Sequence, residues 1–395
     1  MLLERVKKSI PPALSVAINQ NVTNLKQQGR DIICLSLGEA FFDLPRLEFD
    51  PQDIALGYHY SDSQGVPALR AKIADYYRHA YHASVSAHNI LISSGSKILL
   101  YMSMQALLQP GEEVLIPEPA WLSYQHQAHL VGATVRFIPF NVPIEACEAY
   151  FTDKTRLFIL NNPNNPAGCL YSRKRLDYLY QCCHERGVYL LIDEAYSDFV
   201  KPREFYSMAA LVPSFDKLIV VNSLSKNMGI SGWRIGYAMA APDLVQALLI
   251  LNQHLITCAP TLLQLHLARH FDTYLKATLP QIQALIIKRA QIAIYLDKLG
   301  LNYLAGNSTF YFFISVGNYK GAVSDLAEYL LFNKGIAVVP GCAYGQSTDK
   351  FIRLSIATES EARIYRALDI IKEMLISLPM KVDRAYRQLD RIDSH

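Results

Sequence analysis

The stretch N-S-L-S-K-N-M-G-I-S-G-W-R-I-G-Y, from Asn222 to Tyr237, places a lysine after two serines and ahead of an arginine that has a glycine two residues away on each side. The apolar run at 218–221 before it predicts a buried strand, so Ser223, Ser225 and Lys226 fall at the carboxyl end of that strand. Ligands bind at this end of the strands in α/β sheets. The sequence therefore indicates a ligand site organised around Lys226.

A lysine amine among phosphate-binding groups suits an aldehyde that also carries a phosphate. The amine of Lys226 can condense with the aldehyde, while Ser223, Ser225 and Arg234 can anchor the dianion beside it. Pyridoxal phosphate combines these two groups. On this motif alone, a lysine that extends from a strand end, with serines that cap the next turn, explains the same residues equally well.

Length and composition limit the class of protein. At 395 residues the chain is longer than one ordinary domain, so a large and a smaller domain are expected. It is 51% hydrophobic and 18% charged, and no apolar run reaches the roughly 18 residues that span a membrane, so we expect no membrane partner. The formal net charge of +3 comes without a dense Lys/Arg cluster, which indicates no nucleic-acid partner. Residues 1–10 lack a signal-peptide core, so a cytoplasmic location is expected.

The cysteines and histidines do not form a metal-ligand pattern. The seven cysteines have only one close pair, Cys182 with Cys183, and are expected to be reduced packing residues. Two histidine pairs have i, i+3 spacing but no neighbouring ligand set, namely His79 with His82 and His126 with His129. No metal site is predicted.

The long pattern S-x-S-K-x-x-x-x-x-G-W-R-x-G-Y resembles the class I and II aminotransferases of fold type I. The resemblance implies that Lys226 carries pyridoxal phosphate as a Schiff base. It also implies a three-layer α/β fold, in which a large domain with a mostly parallel central sheet is joined to a smaller α+β domain. We place the large cofactor-binding domain at 45–285, and the small domain with its N-terminal arm at 1–44 and 286–395.

A second segment predicts a phosphate-binding turn. The run I-L-I-S-S-G-S-K from Ile90 reads as a strand and a small-residue turn before a helix at 98–108. Backbone N–H groups of Gly95, Ser96 and Lys97 at the start of that helix can hold phosphate oxygens. The family that the chain resembles has its phosphate turn here. Trp121, in P-A-W-L-S-Y, matches the aromatic residue that stacks on the cofactor ring, although a tryptophan that fills the core is the alternative.

Two strand ends supply further candidate residues. Asp193 follows the apolar run 188–192, and a carboxylate at the end of a buried strand is costly unless it meets a cation. The resemblance implies that this cation is the protonated pyridine nitrogen, whereas a helix N-cap is the alternative. It also implies that Asn165, in N-N-P-N-N-P-A-G, and Tyr196 share the phenolate oxygen of the cofactor.

Other motifs point to the substrate and to a second subunit. Gly38 and Glu39 match a loop that covers the substrate carboxylate, with Ala40 in place of the usual proline. Arg353, in F-I-R-L-S-I-A, resembles the arginine that pairs with the substrate α-carboxylate. The predicted substrate-binding residues are Gly38, Asn165 and Arg353. Tyr60 matches a tyrosine that reaches the cofactor phosphate of a partner subunit, which implies a homodimer with shared active sites.

The resemblance implies a transaminase in which Lys226, Asp193 and Tyr196 are catalytic and Lys226 moves the substrate α-proton. It would transfer an amino group from an L-amino acid to a 2-oxo acid. A C–S β-lyase or related elimination enzyme of the same fold is the first alternative. A regulator with a DNA-binding winged helix is the second, and the chain has no room for one ahead of Gly29.

Substrate choice depends on the groups at the distal end of the site. Phe41, Phe42 and Tyr344 favour an apolar pocket for a neutral or aromatic amino acid, whereas Lys97 would favour an acidic one.

Beyond Tyr237 the sequence predicts helices at 244–256 and 280–299, the second long enough to bridge two domains. The rest predicts a small α+β unit, with helices at 322–333 and 361–377 and strands at 309–315, 336–339 and 351–356. The polar tail 381–395 is expected to be a solvated helix end.

Overall fold

The structure, a computed structural model, describes residues 11–377. The predictions for 1–10 and 381–395 concern residues outside this range. The described helices are α1 Leu14–Gln27, α2 Pro51–Gly57, α3 Pro67–Tyr81, α4 Ser96–Leu107, α5 Ser123–Leu130, α6 Arg173–Glu185, α7 Met208–Leu211, α8 Leu224–Asn227, α9 Pro242–Leu255, α10 Thr261–Leu299, α11 Val323–Lys334 and α12 Glu361–Ser377. The described strands are β1 Ile33–Cys34, β2 Ile90–Ser93, β3 Glu113–Pro117, β4 Thr134–Ile138, β5 Thr155–Asn161, β6 Tyr189–Asp193, β7 Leu218–Ser223, β8 Gly236–Met239, β9 Tyr311–Ser315, β10 Ile336–Ala337, β11 Val339–Pro340 and β12 Phe351–Ser355.

A seven-stranded sheet in the order β2-β8-β7-β6-β5-β3-β4 forms the centre of the larger unit. β8 runs antiparallel to both of its neighbours, and the remaining pairs are parallel. Every residue of β7 is buried, as expected for a strand with both faces covered. The register places Asn161 opposite Asp193, so polar residues at the ends of β5 and β6 lie at one edge of the sheet.

Helices cover both faces of this sheet. Ile73 of α3, Leu176 of α6 and Phe271 of α10 belong to the core on one face. Leu100 of α4 and Leu248 of α9 belong to the core on the other face. The predicted three-layer α/β fold with a mostly parallel central sheet is confirmed.

A smaller α+β unit follows α10. Its antiparallel sheet has the order β11-β12-β9, and a separate core cluster joins that sheet to α11, α12 and the second half of α10. The arm that contains β1 pairs in parallel with β10 and continues through a hydrogen bond from the N–H of Ser355 to the Leu35 carbonyl (2.7 Å). The arm therefore belongs to the sheet region of the smaller unit. The domain boundaries at 44/45 and 285/286 stay predictions.

The prediction that a helix begins at Pro280 is wrong, because α10 runs from Thr261 to Leu299 with Pro280 inside it. A proline within a helix costs about 3 kcal/mol. Buried side chains on both sides of it, including Leu275 and Ile282, each recover about 1.5–3 kcal/mol, so packing keeps the helix continuous. Gln281 Nε2 also donates to the Ala277 carbonyl (2.9 Å), one turn earlier.

Two shorter segments also differ from the sequence predictions. Residues 236–239 form β8, which was not predicted, because the pairing of β8 with β2 and β7 depends on residues far away in sequence. The single strand predicted at 336–339 is divided into β10, which pairs with β1, and β11, which pairs with β12. Within residues 11–377 no helix has the length and apolar character needed to cross a bilayer.

Candidate active site

Lys226 lies in the short helix α8 at the end of β7, where Ser223 caps the turn by accepting from the N–H of Ser225. Lys226 Nζ donates to the Gly38 carbonyl (2.6 Å), which joins the arm to the larger unit. Burial, with help from the charges of Arg353 and Arg234, lowers the pKa of Lys226 to about 8, although Glu39 and Asp193 oppose the shift. A lysine with this pKa presents far more free amine near neutral pH than an exposed one, so it is suited to act as a nucleophile and base.

Asp193 is a buried carboxylate at the end of β6. Tyr124 Oη donates to its Oδ2 (2.6 Å), and the N–H of Ala195 donates to its Oδ1 (3.0 Å). Burial raises the pKa of Asp193, while these hydrogen bonds and the charge of Lys226 lower it. Among the described residues Asp193 belongs to no ion pair within 4.0 Å, so it is free to meet a cationic ring nitrogen.

Tyr124 was not predicted from the sequence. It follows Trp121 by three residues at the start of α5, and the two rings meet edge to face with centres 5.3 Å apart. Trp121 precedes α5, and the N–H of Tyr124 donates to its carbonyl (3.1 Å), so the contact depends on a turn that helical spacing does not signal. Tyr124 therefore connects the candidate stacking residue to the candidate ring-nitrogen partner.

Asn165 and Tyr196 come together as predicted for two groups that share one ligand oxygen. Asn165 Nδ2 lies 3.5 Å from Tyr196 Oη, and the N–H of Asn165 donates to Asn161 Oδ1 (2.6 Å), which fixes the loop after β5. Tyr196 Oη is also 2.8 Å from Tyr311 Oη. Tyr311 was missed too, and the aromatic run F-Y-F-F offered no signal that would separate it from its neighbours.

Arg353 is buried in β12 with its guanidinium beside the arm. Its Nη2 donates to the Ser36 carbonyl (2.5 Å), and its Nη1 donates to Asn165 Oδ1 (3.3 Å). Its Nε has no hydrogen-bond partner, and no carboxylate within 4.0 Å pairs with it among the described residues. A Cβ added at Gly38 would lie 4.0 Å from Arg353 Nη1, so the arm passes directly over this group. The arrangement suits a carboxylate ligand.

In the turn between β2 and α4, one of the three predicted phosphate donors, the N–H of Gly95, already has a partner. The N–H of Gly95 donates to the Ser93 carbonyl (2.7 Å) inside the turn, so it is not available to an anion. Gly95 contributes space instead, because a Cβ at this positive-φ position (+85°) would lie 2.4 Å from Arg234 Nη2. The N–H groups of Ser96 and Lys97 lie in the first turn of α4, where backbone donors have no acceptor within the helix, and their phosphate-binding role stays a prediction.

Hydroxyls and two cations border this turn. Ser223 Oγ donates to Ser225 Oγ (2.8 Å) at the start of α8. Lys97 is exposed overall, yet its Nζ lies 5.1 Å from the centre of the Trp121 ring. Partial loss of hydration and the neighbouring charge of Arg234 lower the pKa of Lys97. The repulsion between Lys97 and Arg234 would be relieved by a dianion bound between them.

The candidate specificity residues do not form one cluster. Phe42 stacks on Phe199 with ring centres 6.4 Å apart, and Phe41 is 68% exposed. The ring of Tyr344 lies 5.4 Å from Arg353 Cζ, so of the three predicted residues Tyr344 is the one seen against the carboxylate site. Tyr60 is 84% exposed, and no other residue at 11–377 is seen to hydrogen-bond its hydroxyl.

A cavity of about 210 Å³ lies between the ends of β3 and β5, and its lining includes Tyr124, Asn161 and Asn164. Neither Lys226 nor Arg353 lines it. Lys226, Asp193 and Arg353 lie instead where the arm meets the ends of β6 and β7, a region called the cleft below. Among residues 11–377, no group of three or more His, Cys, Asp or Glu side chains is placed to hold a metal ion.

The residues of this cleft fit pyridoxal phosphate. A buried carboxylate, an amine of low pKa and paired cations suit a pyridine nitrogen, an aldehyde and a phosphate, respectively. Asp193, Lys226, Arg234 and Lys97 provide these groups, and Trp121 provides a flat ring.

Comparison with known proteins gives a consistent result. Residues 53–371 match the family model described as aminotransferase class I and II. An aspartate aminotransferase of Thermotoga maritima is 30% identical, over 95% of this chain and 100% of that protein. A (5-formylfuran-3-yl)methyl phosphate transaminase of Methanocaldococcus jannaschii is 31% identical, over 89% of this chain and 93% of that protein.

Solved structures show the same similarity. The aspartate aminotransferase of Thermus thermophilus with maleate has a TM-score of 0.83 and 27% identity, covering 94% of this chain and 98% of that one. A Methanococcus jannaschii protein, described as similar in its active site to kynurenine aminotransferases, has a TM-score of 0.80 and 28% identity, covering 92% and 97%.

Proposed function

The chain belongs to the aminotransferase class I and II family, whose members depend on pyridoxal phosphate, and from this premise we propose that it moves an amino group from an L-amino acid to a 2-oxo acid through the amine of Lys226. The observation that carries the proposal is the placement of Lys226. Its amine has a pKa lowered to about 8, mainly by burial. The charge of the buried Arg353 guanidinium contributes to this lowering of the pKa, whereas the charge of the buried Asp193 carboxylate opposes it. Neither of those two groups has an ion-pair partner among the described residues.

When bound, pyridoxal phosphate supplies an aldehyde that condenses with amines and a ring that accepts the electron pair left by a departing proton. Asp193 would hold the ring nitrogen in its protonated form, which is the state that accepts electrons best. Tyr124 and the N–H of Ala195 keep the Asp193 carboxylate oriented and favour its charged form.

Lys226 would act twice, first as the amine that condenses with the aldehyde and then as the local base. In its free form the amine of Lys226 would take and return the α-proton of the substrate. The Gly38 carbonyl accepts a hydrogen bond from Nζ and so directs the amine toward the arm side of the cleft.

Arg353, Asn165 and Tyr196 would orient the reactants. The unpaired Nε and the Nη1 of Arg353 suit a bidentate contact with the α-carboxylate, which every amino acid substrate shares. Asn165 Nδ2 and Tyr196 Oη converge on a single position that suits the phenolate oxygen of the cofactor. These contacts fix which bond at the α-carbon faces Lys226.

Phosphate anchoring would use Ser96, Lys97, Ser223, Ser225 and Arg234. Backbone N–H groups at the start of α4 and the Ser225 hydroxyl would be the hydrogen-bond donors, and the cations would supply charge. Ser223 Oγ gives its own proton to Ser225 Oγ (2.8 Å) and so would orient that hydroxyl. Trp121 would cover one face of the ring.

For the side chain of the substrate we propose that neutral or aromatic amino acids are favoured. The rings of Tyr311 and Tyr344 lie 4.5 and 5.4 Å from Arg353 Cζ and give the carboxylate site aromatic walls. Lys97 Nζ lies over the Trp121 ring, and its pKa is lowered by burial and by the charge of Arg234, a proposed phosphate ligand, which supports a role for Lys97 toward the phosphate. Two of the compared proteins are named aspartate aminotransferases, so a preference for acidic amino acids is the opposing prediction.

The test follows the visible absorbance of the purified holoenzyme while a panel of amino acids is added. Loss of the band with an amino acid, and its recovery with a 2-oxo acid, are expected for transamination. Release of ammonia and pyruvate instead would identify an elimination enzyme and refute the proposed reaction.

Attachment of the cofactor to Lys226 is tested by reduction with borohydride and peptide mapping. The modified peptide should contain Lys226, and label on another lysine would refute the assignment. The Lys226→Ala variant should keep the phosphate contacts but lose turnover by several orders of magnitude, because both the attachment point and the base are removed.

A further inference from the structure

Tyr311 is a buried side chain that contacts both chemical ends of the cleft. Its hydroxyl oxygen lies 2.8 Å from Tyr196 Oη, in the group proposed to bind the phenolate oxygen. The centre of its ring lies 4.5 Å from Arg353 Cζ, in the group proposed to bind the substrate carboxylate. The two contacts use different parts of one residue, so substitutions can separate them.

The sheet of the smaller unit explains this position. Tyr311 pairs with Ser355 and Phe313 pairs with Arg353, so Tyr311 and Arg353 are diagonal neighbours on β9 and β12. Tyr196 comes from the segment after β6 in the larger unit. The backbone of Tyr311 is held by Arg289 Nη2, which donates to its carbonyl (3.2 Å).

The number of available protons determines which hydroxyl donates in the hydrogen bond between Tyr196 and Tyr311. A tyrosine hydroxyl has one proton to donate and can accept two hydrogen bonds. If Tyr196 gives its proton to the cofactor, its oxygen must accept from Tyr311, and Asn165 Nδ2 at 3.5 Å is the second donor to that oxygen. With both acceptor positions filled, the proton of Tyr196 points toward the cofactor.

The ring of Tyr311 has a separate effect on Arg353. A guanidinium over an aromatic face is attracted to it, and the contact holds the guanidinium plane in one orientation. A Cβ added at Gly38 would lie 3.1 Å from Tyr311 Oη, so the arm closes over the same side chain.

We propose that Tyr311 is a positioning residue with two separable roles: its hydroxyl directs the proton of Tyr196 to the cofactor, and its ring orients Arg353 for the substrate carboxylate. This inference rests on the proposed function.

Two variants of the holoenzyme test it. Tyr311→Phe keeps the ring, so we expect kcat to fall about tenfold and the pH midpoint of the visible band to rise, while KM for the amino acid changes less than about twofold. Tyr311→Leu also removes the ring, so KM should rise by about fivefold or more in addition.

Phe158→Leu is the control, because it removes a fully buried ring from a strand of the larger unit, β5. That ring stacks on the Phe151 ring, with centres 6.0 Å apart, and contacts neither Tyr311 nor Arg289 among the described ring contacts. It should lower the melting temperature and leave both KM and the spectral midpoint unchanged.

Equal KM values in Tyr311→Phe and Tyr311→Leu, or an unchanged spectral midpoint in Tyr311→Phe, would overturn the inference. If Tyr311→Leu does not fold, the spectral midpoint and KM of Tyr311→Phe still decide it. Failure of the proposed function is recognised separately, by borohydride label on a residue other than Lys226 in the parent protein.

Discussion

At the scale of single residues, Lys97 decides between two substrate preferences. Its ammonium lies over the Trp121 ring, and the charge of Arg234 helps to lower its pKa. Because Arg234 is proposed to bind the phosphate, the second observation supports a phosphate role for Lys97. A lysine in that role contributes to cofactor affinity for every substrate. A lysine that instead meets an acidic side chain contributes only for aspartate and glutamate.

We expect Lys97→Met to weaken cofactor binding without changing substrate preference. Because Lys97 is exposed and screened by solvent, the loss should be about 1 kcal/mol, a factor of about five in affinity. Titration of the apoenzyme with pyridoxal phosphate measures the affinity, and kcat/KM for phenylalanine and aspartate measures the preference. Lys217→Met is the matched control, because Lys217 Nζ also lies over a ring, that of Tyr189 (4.7 Å).

A different result is expected if Lys97 binds the side chain of an acidic substrate. Loss of a charge-assisted contact with an acidic substrate costs about 1.5–3 kcal/mol, which lowers kcat/KM for aspartate by a factor of about ten or more. If aspartate is the better substrate of the parent protein and only its turnover falls in Lys97→Met, the proposed neutral or aromatic preference is wrong.

Sequence motifs could predict the charged residues of the cleft but not all of its neutral ones. Lys226, Asp193 and Arg353 each stand in a distinctive pattern at a predicted strand end, where a charge needs an explanation. Tyr124 and Tyr311 are two of 24 tyrosines, and their roles depend on which side chains they meet in the folded chain. The loss of the Gly95 N–H to the Ser93 carbonyl likewise depends on turn geometry.

At the scale of elements, Glu118, which follows β3, connects the larger unit by hydrogen bonds to the loop of the smaller unit that contains Gln346 and Ser347. Its carboxylate accepts from the N–H groups of Gln346 and Ser347 and from the Ser347 hydroxyl. The N–H of Ala120 donates to the Tyr344 carbonyl (2.8 Å) beside it. This loop precedes β12 and contains Tyr344, so the contact connects the region of Trp121 to the surroundings of Arg353.

We expect Glu118→Ala to lower the free energy of unfolding by about 2–4 kcal/mol, because the buried Glu118 carboxylate accepts three hydrogen bonds that the variant loses. The KM for the amino acid should rise as well, since Tyr344 contacts Arg353. Urea unfolding and steady-state kinetics measure the two effects. Glu145→Ala is the control: its ion pair with Arg175 (2.7 Å) is about half exposed, so the change should stay below about 1 kcal/mol. Equal, small effects of both substitutions would contradict the role of Glu118.

Elements with local signals were predictable, and elements that depend on distant partners were not. α12 begins at Glu361 as predicted and continues to Ser377, the last described residue, because its apolar spacing is regular along a single face. β8 and the division between β10 and β11 depend on pairing with distant strands. α10 continues through Pro280 because tertiary packing outweighs the local cost of the proline.

At the scale of the whole molecule, the exposed apolar side chains favour a second copy of the chain as partner. Leu56, Tyr58 and Tyr60 are 58%, 79% and 84% exposed, and Ile250 and Leu255 of α9 are 58% and 48% exposed. Asn252 Nδ2 donates to the Ser63 carbonyl (2.7 Å), so α9 lies beside the segment that follows Tyr60. We propose that this surface is covered in a homodimer and that Tyr60 reaches the cofactor phosphate of the other subunit.

Mixing Tyr60→Phe subunits with Lys226→Ala subunits tests this arrangement. If Tyr60 serves the partner, each hybrid dimer has one site with both changes and one site with neither, so activity per dimer should exceed that of either parent. If Tyr60 serves its own subunit, every hybrid site carries one change, and activity stays at or below that of the Tyr60→Phe parent. Differently tagged subunits allow the hybrid to be purified, and their failure to co-purify after joint refolding would refute the homodimer. Lys217→Met in place of Lys226→Ala is the control, because it leaves the amine of the cleft intact and should give hybrids no advantage over the average of their parents.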